Sequence, residues 1–418
     1  MRMGLQIRRT TLSNGIVVVG AENHTSPSVV LRFSLRAAPI LDTPATAGLA
    51  ALTASGLTRG TKTRSFEQIN EAVDAAGMSL SAGAGRHLAS ISVRCLADDL
   101  SMGIELMADV TRNSVYPAPE IEQLMGQTLT GLRQADNDTG AVADRQFREL
   151  IYPGGHPYRL RTHGYQETVR PMTRDDLAAF HAQHYGVNGA FCVVVGDVVF
   201  DDVALRLEAM LGDWRPGGAA AVDVPLPPRA EASQKDVVVP GKTQSDLVLG
   251  AVSIRRQDPD FQSFRLANMI LGRLGMMGRL GETVREAKGL AYGVHSELDA
   301  GLGAGPWAVR AGINPSNVDA AFAGIRDEMH RLRDGGVTEE ELFRAKNYST
   351  GSLGLHLETN DGVAGLIQDI ELFELGLDYA DRYAGILDAL NLDEVNRVAA
   401  KHIPRFEDTV RVVAGPER

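Results

Sequence analysis

The sequence predicts an α+β fold built twice, as two homologous domains that each pack helices on a mostly antiparallel sheet. Its 418 residues exceed what one ordinary core needs. Short apolar runs with alternating polarity, which are typical of strands, alternate with longer segments of helical period. Two pairs of matching segments also recur at nearly the same offset, and this recurrence indicates an internal duplication.

The duplication is visible in two places. TRDDLAAFHAQHYGVNGAFCVVVGD and LDEVNRVAAKHIPRFEDTVRVVAGP each predict a helix followed by a strand, and they align His184 with His402, an offset of 402 − 184 = 218. The strand, loop and helix that begin at Ser28 match those that begin at Ser245, an offset of 245 − 28 = 217. Two independent matches at nearly one offset predict that about half the chain is repeated.

The predicted division is an N-terminal domain over 1–216, a linker over 217–232 and a C-terminal domain over 233–418. The segment RPGGAAAVDVPLPPRAEAS is rich in Pro, Gly and Ala and has no periodicity, which is typical of a linker. Capping boxes are predicted at Ser65 with Gln68 and at Thr338 with Glu341. The predicted strands are GIVVVGAEN, VVLRFSL, LASISVRCL, AFCVVVGD, DLVLGAVSI, PWAVRAGI and TVRVVAGP.

Composition excludes some classes of function. The net charge of −11 disfavours general nucleic-acid binding. No apolar run approaches the roughly 18 residues that a membrane span needs, so we expect a soluble protein without a membrane span. It would be periplasmic if a signal peptide was removed, and cytoplasmic otherwise. Cys95 and Cys192 lie in apolar strand-like runs and are predicted to be core residues.

The order of several segments resembles the pitrilysin/insulinase family of zinc peptidases, which includes the mitochondrial processing peptidase and short-chain bacterial members. The resemblance covers nearly the whole chain. It is carried by TLSNGIVVV, TAGLAALTASGLTRGTKTRS, HPYRLRTHGYQETV, FHAQHYGVNGAFCVVVGDV, MILGRLGMMGRLGETVREAKGLAYGVHSEL and VTEEELFRAKNYSTG.

The chain departs from this family at the metal site. The family's first helix carries His-x-x-Glu-His, in which two histidines bind zinc and the glutamate is the general base. The corresponding positions here hold Ala51, Ala54 and Ser55. The family's third ligand is a glutamate in a later helix, with another acid seven residues before it, and these positions hold Gly131 and Leu124. The resemblance therefore implies a degenerate metal site and no cofactor in this chain.

The histidines offer no obvious replacement site. His181 and His184 are three residues apart and share a helical face, but no Cys or further His lies close in sequence. Because His184 matches His402 in the repeat, a structural role in packing or capping is favoured over metal binding.

The second half retains Arg285 and Tyr292, seven residues apart in REAKGLAY. They match an arginine/tyrosine pair that, in relatives, faces the zinc site from the other half or subunit. Arginine is a permanent cation with a planar donor fork, and tyrosine supplies a hydroxyl donor. Taken alone, the two residues favour a surface arginine and a core tyrosine. With the matching flanks, they favour catalytic roles in stabilising an oxyanion.

A glycine-rich segment precedes the pair and contains Gly272, Gly275, Gly278 and Gly281, with Met276 and Met277 between them. No Lys-Ser/Thr follows, and the spacing differs from G-x-G-x-x-G, so neither a phosphate loop nor a dinucleotide site is predicted. The resemblance implies a substrate-binding loop, because the non-zinc subunit of the mitochondrial enzyme has a glycine-rich loop here. A flexible turn between helices is the alternative.

These features together predict the catalytically incomplete subunit of a heterodimeric zinc metallopeptidase, inactive alone and paired with a homologue that carries His-x-x-Glu-His and zinc. Two alternatives remain: a structural subunit like the core proteins of the respiratory bc1 complex, and a stand-alone peptide-binding module.

Overall fold

A computed structural model describes residues 5–215, 217–219 and 222–417. The strands in these ranges are β1 (Arg8–Thr11), β2 (Val17–Glu22), β3 (Ser28–Leu35), β4 (Ser79–Ala84), β5 (Ala89–Leu96), β6 (Phe191–Gly196), β7 (Ser233–Val238), β8 (Ser245–Val252), β9 (Ala291–Leu298), β10 (Pro306–Ile313) and β11 (Val410–Gly415). The helices are α1 (Leu49–Gly56), α2 (Phe66–Ala75), α3 (Leu100–Asn113), α4 (Ala118–Asp136), α5 (Thr139–Ile151), α6 (Gln166–Val169), α7 (Arg174–His184), α8 (Phe200–Leu211), α9 (Phe261–Gly272), α10 (Leu274–Leu280), α11 (Val318–Gly335), α12 (Glu339–His356), α13 (Asn360–Phe373), α14 (Tyr379–Ala389) and α15 (Leu392–His402).

Two mixed sheets organise the chain. The first has the strand order β1-β2-β6-β3-β5-β4, and the second has the order β7-β11-β8-β10-β9. Only β2 with β6 and β7 with β11 run parallel among the strand pairs of the described residues. The other neighbouring strands are antiparallel. The predicted α+β class with mostly antiparallel sheets is therefore confirmed.

The two sheets have the same topology once β1 is set aside. Strands β2, β6, β3, β5 and β4 of the first sheet correspond in order to β7, β11, β8, β10 and β9 of the second. Ser28 and Ser245 both begin strands of eight residues, and His184 and His402 both end helices of eleven residues. The predicted duplication into two homologous halves is confirmed.

The chain packs as two compact units, and neither is continuous in sequence. The first unit comprises Met1–Leu132, Leu160–Val222 and Gly354–Arg382, and the second comprises Arg133–Arg159, Asp223–Leu353 and Tyr383–Arg418. Helix α5 packs on β8 and β11 within the second unit, whereas α13 packs on β2, β3 and β6 within the first. Each sequence half thus contributes one helix to the unit built mainly from the other half.

This exchange follows from the apolar faces of the two helices. α5 buries Val142, Phe147 and Ile151, and α13 buries Ile367 and Ile370 among others. Amphipathic helices gain most of their stability by burying such a face. The predicted domain boundaries divide the sequence into its two repeated halves, and they stay a prediction. The packing units do not follow these boundaries, because each unit contains residues from both halves. Residues 216, 220 and 221, at or inside the predicted linker, lie outside the described residues.

The predicted local features of the core are present. Cys95 and Cys192 are buried free thiols, and burial raises the pKa of Cys95 to about 11 and that of Cys192 to about 12. The Ser65 side chain accepts the N–H of Gln68, which completes the predicted capping box. Within the described ranges, no helix is both long and apolar enough to cross a bilayer.

Candidate functional site

Helix α1 holds three of the four positions where the family resemblance places the metal site. Ala51 is 3% exposed, Ala54 is fully buried and Ser55 is partly exposed. The helix packs against β4 and α7, and both alanines are buried. Methyl groups have no lone pairs, and a neutral hydroxyl is a poor zinc ligand. The residues present on α1 therefore do not fit a zinc ion.

The fourth position, Gly131, lies exposed near the end of α4. A Cβ atom built on Gly131 would meet no heavy atom within 4 Å. Leu124, at the place of the additional acid, is only 7% exposed and belongs to the apolar core. Neither residue offers an oxygen or nitrogen side-chain ligand, so α4 also does not fit a zinc site.

The open surroundings of Gly131 lead to a stability prediction. Gly131→Ala is expected to raise the free energy of unfolding by about 0.5–1 kcal/mol, because alanine has the higher helix propensity and meets no clash here. Urea denaturation of both proteins measures the change. A loss of stability would contradict the open surroundings of Gly131 on which the prediction rests.

Asp42 caps the N-terminus of α1. No sequence motif marked this residue. The backbone N–H of Gly48 donates to its Oδ2 at 2.9 Å, and the N–H of Ala50 donates to its Oδ1 at 3.2 Å. Burial raises the pKa of Asp42 to about 7, although the two N–H donors act in the opposite direction. The carboxyl group satisfies helix donors that Gly48, the N-cap residue, cannot satisfy with a side chain.

Asp42→Ala is therefore expected to lower the free energy of unfolding by about 1–2 kcal/mol, the usual cost of losing a helix cap. Asp42→Asn retains one acceptor and should cost less. Thermal or urea denaturation checks the order of the three proteins. Equal stability of the alanine and asparagine variants would contradict the capping role.

The histidines have structural partners. His181 Nε2 lies 2.8 Å from the carbonyl oxygen of Thr111, and burial lowers its pKa. His184 packs against Phe180 with ring centroids 4.4 Å apart. These contacts fit the packing role that the sequence favours over metal binding for both residues.

One group of metal-binding type occurs among the described residues, in the second unit. Asp258, Asp260 and His402 each offer a ligand atom within 4.8 Å of the others. However, Asp260 already pairs with Lys401 Nζ at 2.7 Å and Arg397 Nη2 at 3.2 Å. The adjacent cations repel a metal ion, so this group acts as an ion-pair cluster that ties α15 to the start of α9.

Arg285 lies in a π-helix. Residues Gly281–Ala287 are wound as a π-helix, a rare form that often occurs at functional sites. Gly289, with φ of 61°, ends this helix, and its N–H donates to the carbonyl of Arg285 at 3.0 Å. The Arg285 side chain is partly exposed, and within the described part of the chain it makes no hydrogen bond or ion pair.

Tyr292 lies on a β-bulge in the edge strand β9. Gly293 pairs with Gly312 and Ala291 pairs with Ile313, so Tyr292 is the extra residue between them. Bulges of this kind redirect a side chain and are common next to active sites. The Tyr292 side chain is 67% exposed, so Tyr292 is not the core residue that the alternative interpretation of the sequence expected. Its hydroxyl likewise has no hydrogen-bond partner among the described residues.

The predicted glycine-rich loop is a break between helices. Gly275, Met276, Met277 and Gly278 all have non-helical backbone angles. Met276 is 60% exposed, whereas the Sδ atom of Met277 accepts the N–H of Val294 on the outer edge of β9 at 3.4 Å. The contact of Met277 thus joins the segment to β9.

The glycines of the glycine-rich segment are favoured over other residues for different structural reasons. A Cβ atom on Gly272 would lie 2.2 Å from the backbone nitrogen of Ser296, and one on Gly278 would lie 2.5 Å from the carbonyl oxygen of Ile270. Gly275 has open space but a φ of 61°, which disfavours other residues. The structure thus brings the loop, the π-helix and the bulged strand together, since α10 contacts both of the others.

The segment HPY, part of the resemblance, has a structural role. His156 is 5% exposed, its Nδ1 accepts the N–H of Tyr158 at 3.1 Å, and its Nε2 lies 3.0 Å from the carbonyl oxygen of Pro225. The Tyr158 hydroxyl accepts the N–H of Gly303 at 2.8 Å. These bonds hold the predicted linker at Pro225 within the second unit.

Comparison with known proteins places the chain in a family. The family model described as "Insulinase (Peptidase family M16)" matches residues 17–151, and "Peptidase M16 inactive domain" matches residues 171–349. Together these matches span more than half of the 418 residues. The chain belongs to the M16 peptidase family, the pitrilysin/insulinase family that its segments resemble.

Relatives and solved structures agree with this membership. An uncharacterized zinc protease of Streptomyces coelicolor is 27% identical over 374 residues, which cover 88% of this chain and 80% of the relative. One of Bacillus subtilis is 23% identical and covers 94% of this chain and 95% of the relative. A crystal structure of a peptidase M16 inactive domain from Pseudomonas fluorescens has a TM-score of 0.92 at 26% identity, covering 99% and 98% of the two chains. A protease from Helicobacter pylori shares the fold, with a TM-score of 0.89 at 19% identity and coverage of 99% and 100%.

Proposed function

We propose that this chain is the catalytically incomplete subunit of a heterodimeric zinc metallopeptidase. It would contribute Arg285 and Tyr292 to a site whose zinc ion and general base belong to a homologous partner. The partner would carry His-x-x-Glu-His, and the relatives named zinc proteases are the kind of protein that could fill this place. A peptide would add as an extra strand to a sheet edge of the zinc-bearing half.

One observation carries this proposal. The only two residues predicted to be catalytic lie on two rare backbone irregularities, a π-helix and a β-bulge, and both side chains lack partners among the described residues. Both side chains reach solvent, so no other protein group competes for their polar atoms. An unpaired guanidinium and an unpaired phenol on adjoining elements are therefore available to a ligand.

Their chemistry suits amide hydrolysis. The Arg285 fork can donate two hydrogen bonds to a carbonyl oxygen, and the Tyr292 hydroxyl can donate a third. Such donors stabilise the negative charge that develops on that oxygen when water attacks the carbonyl carbon. Met276, exposed on the neighbouring loop, offers an adaptable apolar contact for substrate side chains.

Reconstitution tests the proposal. We expect the chain purified alone to contain less than about a tenth of an equivalent of zinc by metal analysis, and to cleave no unfolded peptide. Mixed with a zinc-bearing homologue from the same cell, it should restore cleavage and form a 1:1 complex on gel filtration. The matched control replaces the partner's glutamate base with glutamine, which should leave the complex intact and inactive.

Copurification from the native cell and a peptide-binding measurement on the isolated chain separate the alternatives. Association with membrane complexes, with no cleavage in any mixture, would favour a structural subunit. Tight peptide binding by the isolated chain, with no effect of a partner, would favour a peptide-binding module. Stoichiometric zinc at α1 in the isolated chain would refute the proposed division of labour.

A further inference from the structure

A cavity in the first unit contains an arginine that forms no ion pair within the described residues. The cavity has a volume of about 400 Å³, which is in the range of small-molecule sites. It lies where β2 and β6 begin, beside the C-terminal end of α13, and Arg36 follows the end of β3. Its walls include the apolar side chains of Phe191, Ile370 and Leu377. None of the lining residues belongs to α1, the π-helix or the bulged strand.

Arg36 is the unusual residue in this cavity. Its side chain is half-buried: the Nε atom is inaccessible to water and has no hydrogen-bond partner, whereas the two Nη atoms reach solvent. In the ranges that the structure describes, the side chain forms no ion pair. Burial lowers the pKa of Arg36, while Glu374 and Glu371 partly offset this effect. A half-buried cation that forms no ion pair loses part of its hydration, and an anion bound to its Nη atoms would offset this loss.

The nearby carboxylates do not fill this place. Glu371 accepts two hydrogen bonds from Arg9, at 3.1 Å from Nε and 3.0 Å from Nη2, so its two oxygens are already engaged. Glu374 is exposed at the end of α13 with φ of 55°, and it lies beyond ion-pair distance of Arg36. The cavity therefore combines the two accessible Nη atoms of Arg36, the Arg9–Glu371 ion pair, several apolar side chains and the exposed Glu374 carboxylate.

We propose that this cavity binds a monocarboxylate with an apolar side group, with its carboxylate on the Arg36 fork. Planar guanidinium binds carboxylate through two parallel hydrogen bonds, and the apolar group would pack on Phe191, Ile370 and Leu377. Glu374 repels a second negative charge and attracts an ammonium group. The site should thus prefer zwitterionic amino acids of leucine size and simple branched carboxylates over inorganic phosphate.

Titration calorimetry of the full chain tests this site with four probes: 3-methylbutanoate, L-leucine, 3-methylbutylamine and inorganic phosphate. We expect saturable binding of the first two, and affinity for the amine and for phosphate at least tenfold lower. Arg36→Gln should weaken 3-methylbutanoate binding at least tenfold. Arg36→Lys should weaken it less, because lysine keeps the positive charge although it lacks the planar guanidinium group. Arg94→Gln, at an exposed arginine outside the cavity, is the matched control and should change binding less than twofold.

Two further variants make the test decisive. Glu374→Gln should weaken L-leucine binding and leave 3-methylbutanoate binding unchanged or stronger. Leu377→Glu places a carboxylate in the cavity wall and should abolish binding even if Arg36→Gln fails to fold. Ligand-free Arg36→Gln should melt at or slightly above the temperature of the parent protein, because the empty cavity holds a cation that forms no ion pair. No saturable binding of 3-methylbutanoate or L-leucine, or phosphate binding as tight as theirs, would overturn the proposal.

Discussion

Arg285→Ala is expected to lower kcat of the reconstituted complex by about tenfold to a thousandfold, the scale measured when a single oxyanion donor is removed. Tyr292→Phe removes only a hydroxyl and should fall in the same range. Because these donors act mainly on the charge that develops in the transition state, KM should change much less than kcat. Steady-state kinetics with one fluorogenic peptide measures both constants.

Controls distinguish this role from a structural one. Arg326→Ala removes an exposed arginine of the same unit, whose ion pair is with its neighbour Asp327, and it should leave kcat unchanged. Tyr348→Phe is the matching control for an exposed tyrosine. Each variant should still bind the zinc-bearing partner with unchanged affinity. Full activity of the Arg285→Ala/Tyr292→Phe double variant would refute the role of the pair.

Gly278→Ala is expected to lower the free energy of unfolding by about 2–4 kcal/mol, a large effect for one methyl group. The backbone of Gly278 has φ of 61° and ψ of −159°, a region accessible almost only to glycine. The added Cβ atom would also lie 2.5 Å from one carbonyl oxygen, so backbone must move. Urea denaturation measures the loss.

Gly275→Ala is the matched comparison for this loop. Gly275 has the same φ of 61°, but its Cβ would meet open space. Its substitution should show only the conformational cost of about 1–2 kcal/mol. Equal losses for the two variants would contradict the steric argument. Because Gly275 lies in the predicted substrate loop, its effect on cleavage also reports whether that shape matters for activity.

The strands that the sequence did not predict all lie at the edges of the two sheets. Every strand that the sequence predicted is present, and β1, β4, β7 and β9, which it did not predict, are the four edge strands of the two sheets. Interior strands are hydrophobic because neighbours cover them, whereas edge strands such as SLSAGA are short and mixed in polarity. Apolar alternation therefore detects the centre of a sheet better than its margin.

The candidate site was predictable only in part. The ligand types missing at Ala51, Ala54, Ser55 and Gly131 can be read from a motif, because helical spacing fixes which residues would meet a metal. The bulge at Tyr292 depends on its register with β10, which no local pattern encodes. Asp42 and Arg36 gained their importance from burial and from the presence or absence of partners, and these arise only after folding.

The exchange of α5 and α13 has a consequence for any attempt to divide the molecule. A break between residues 216 and 233 would leave the first fragment with α5 but without the strands β8 and β11 that cover its apolar face. The second fragment would keep α13 and lose the sheet on which that helix rests. Each fragment would expose hydrophobic surface on both a helix and a sheet, so the two halves must reach their native state together, as one cooperative folding event.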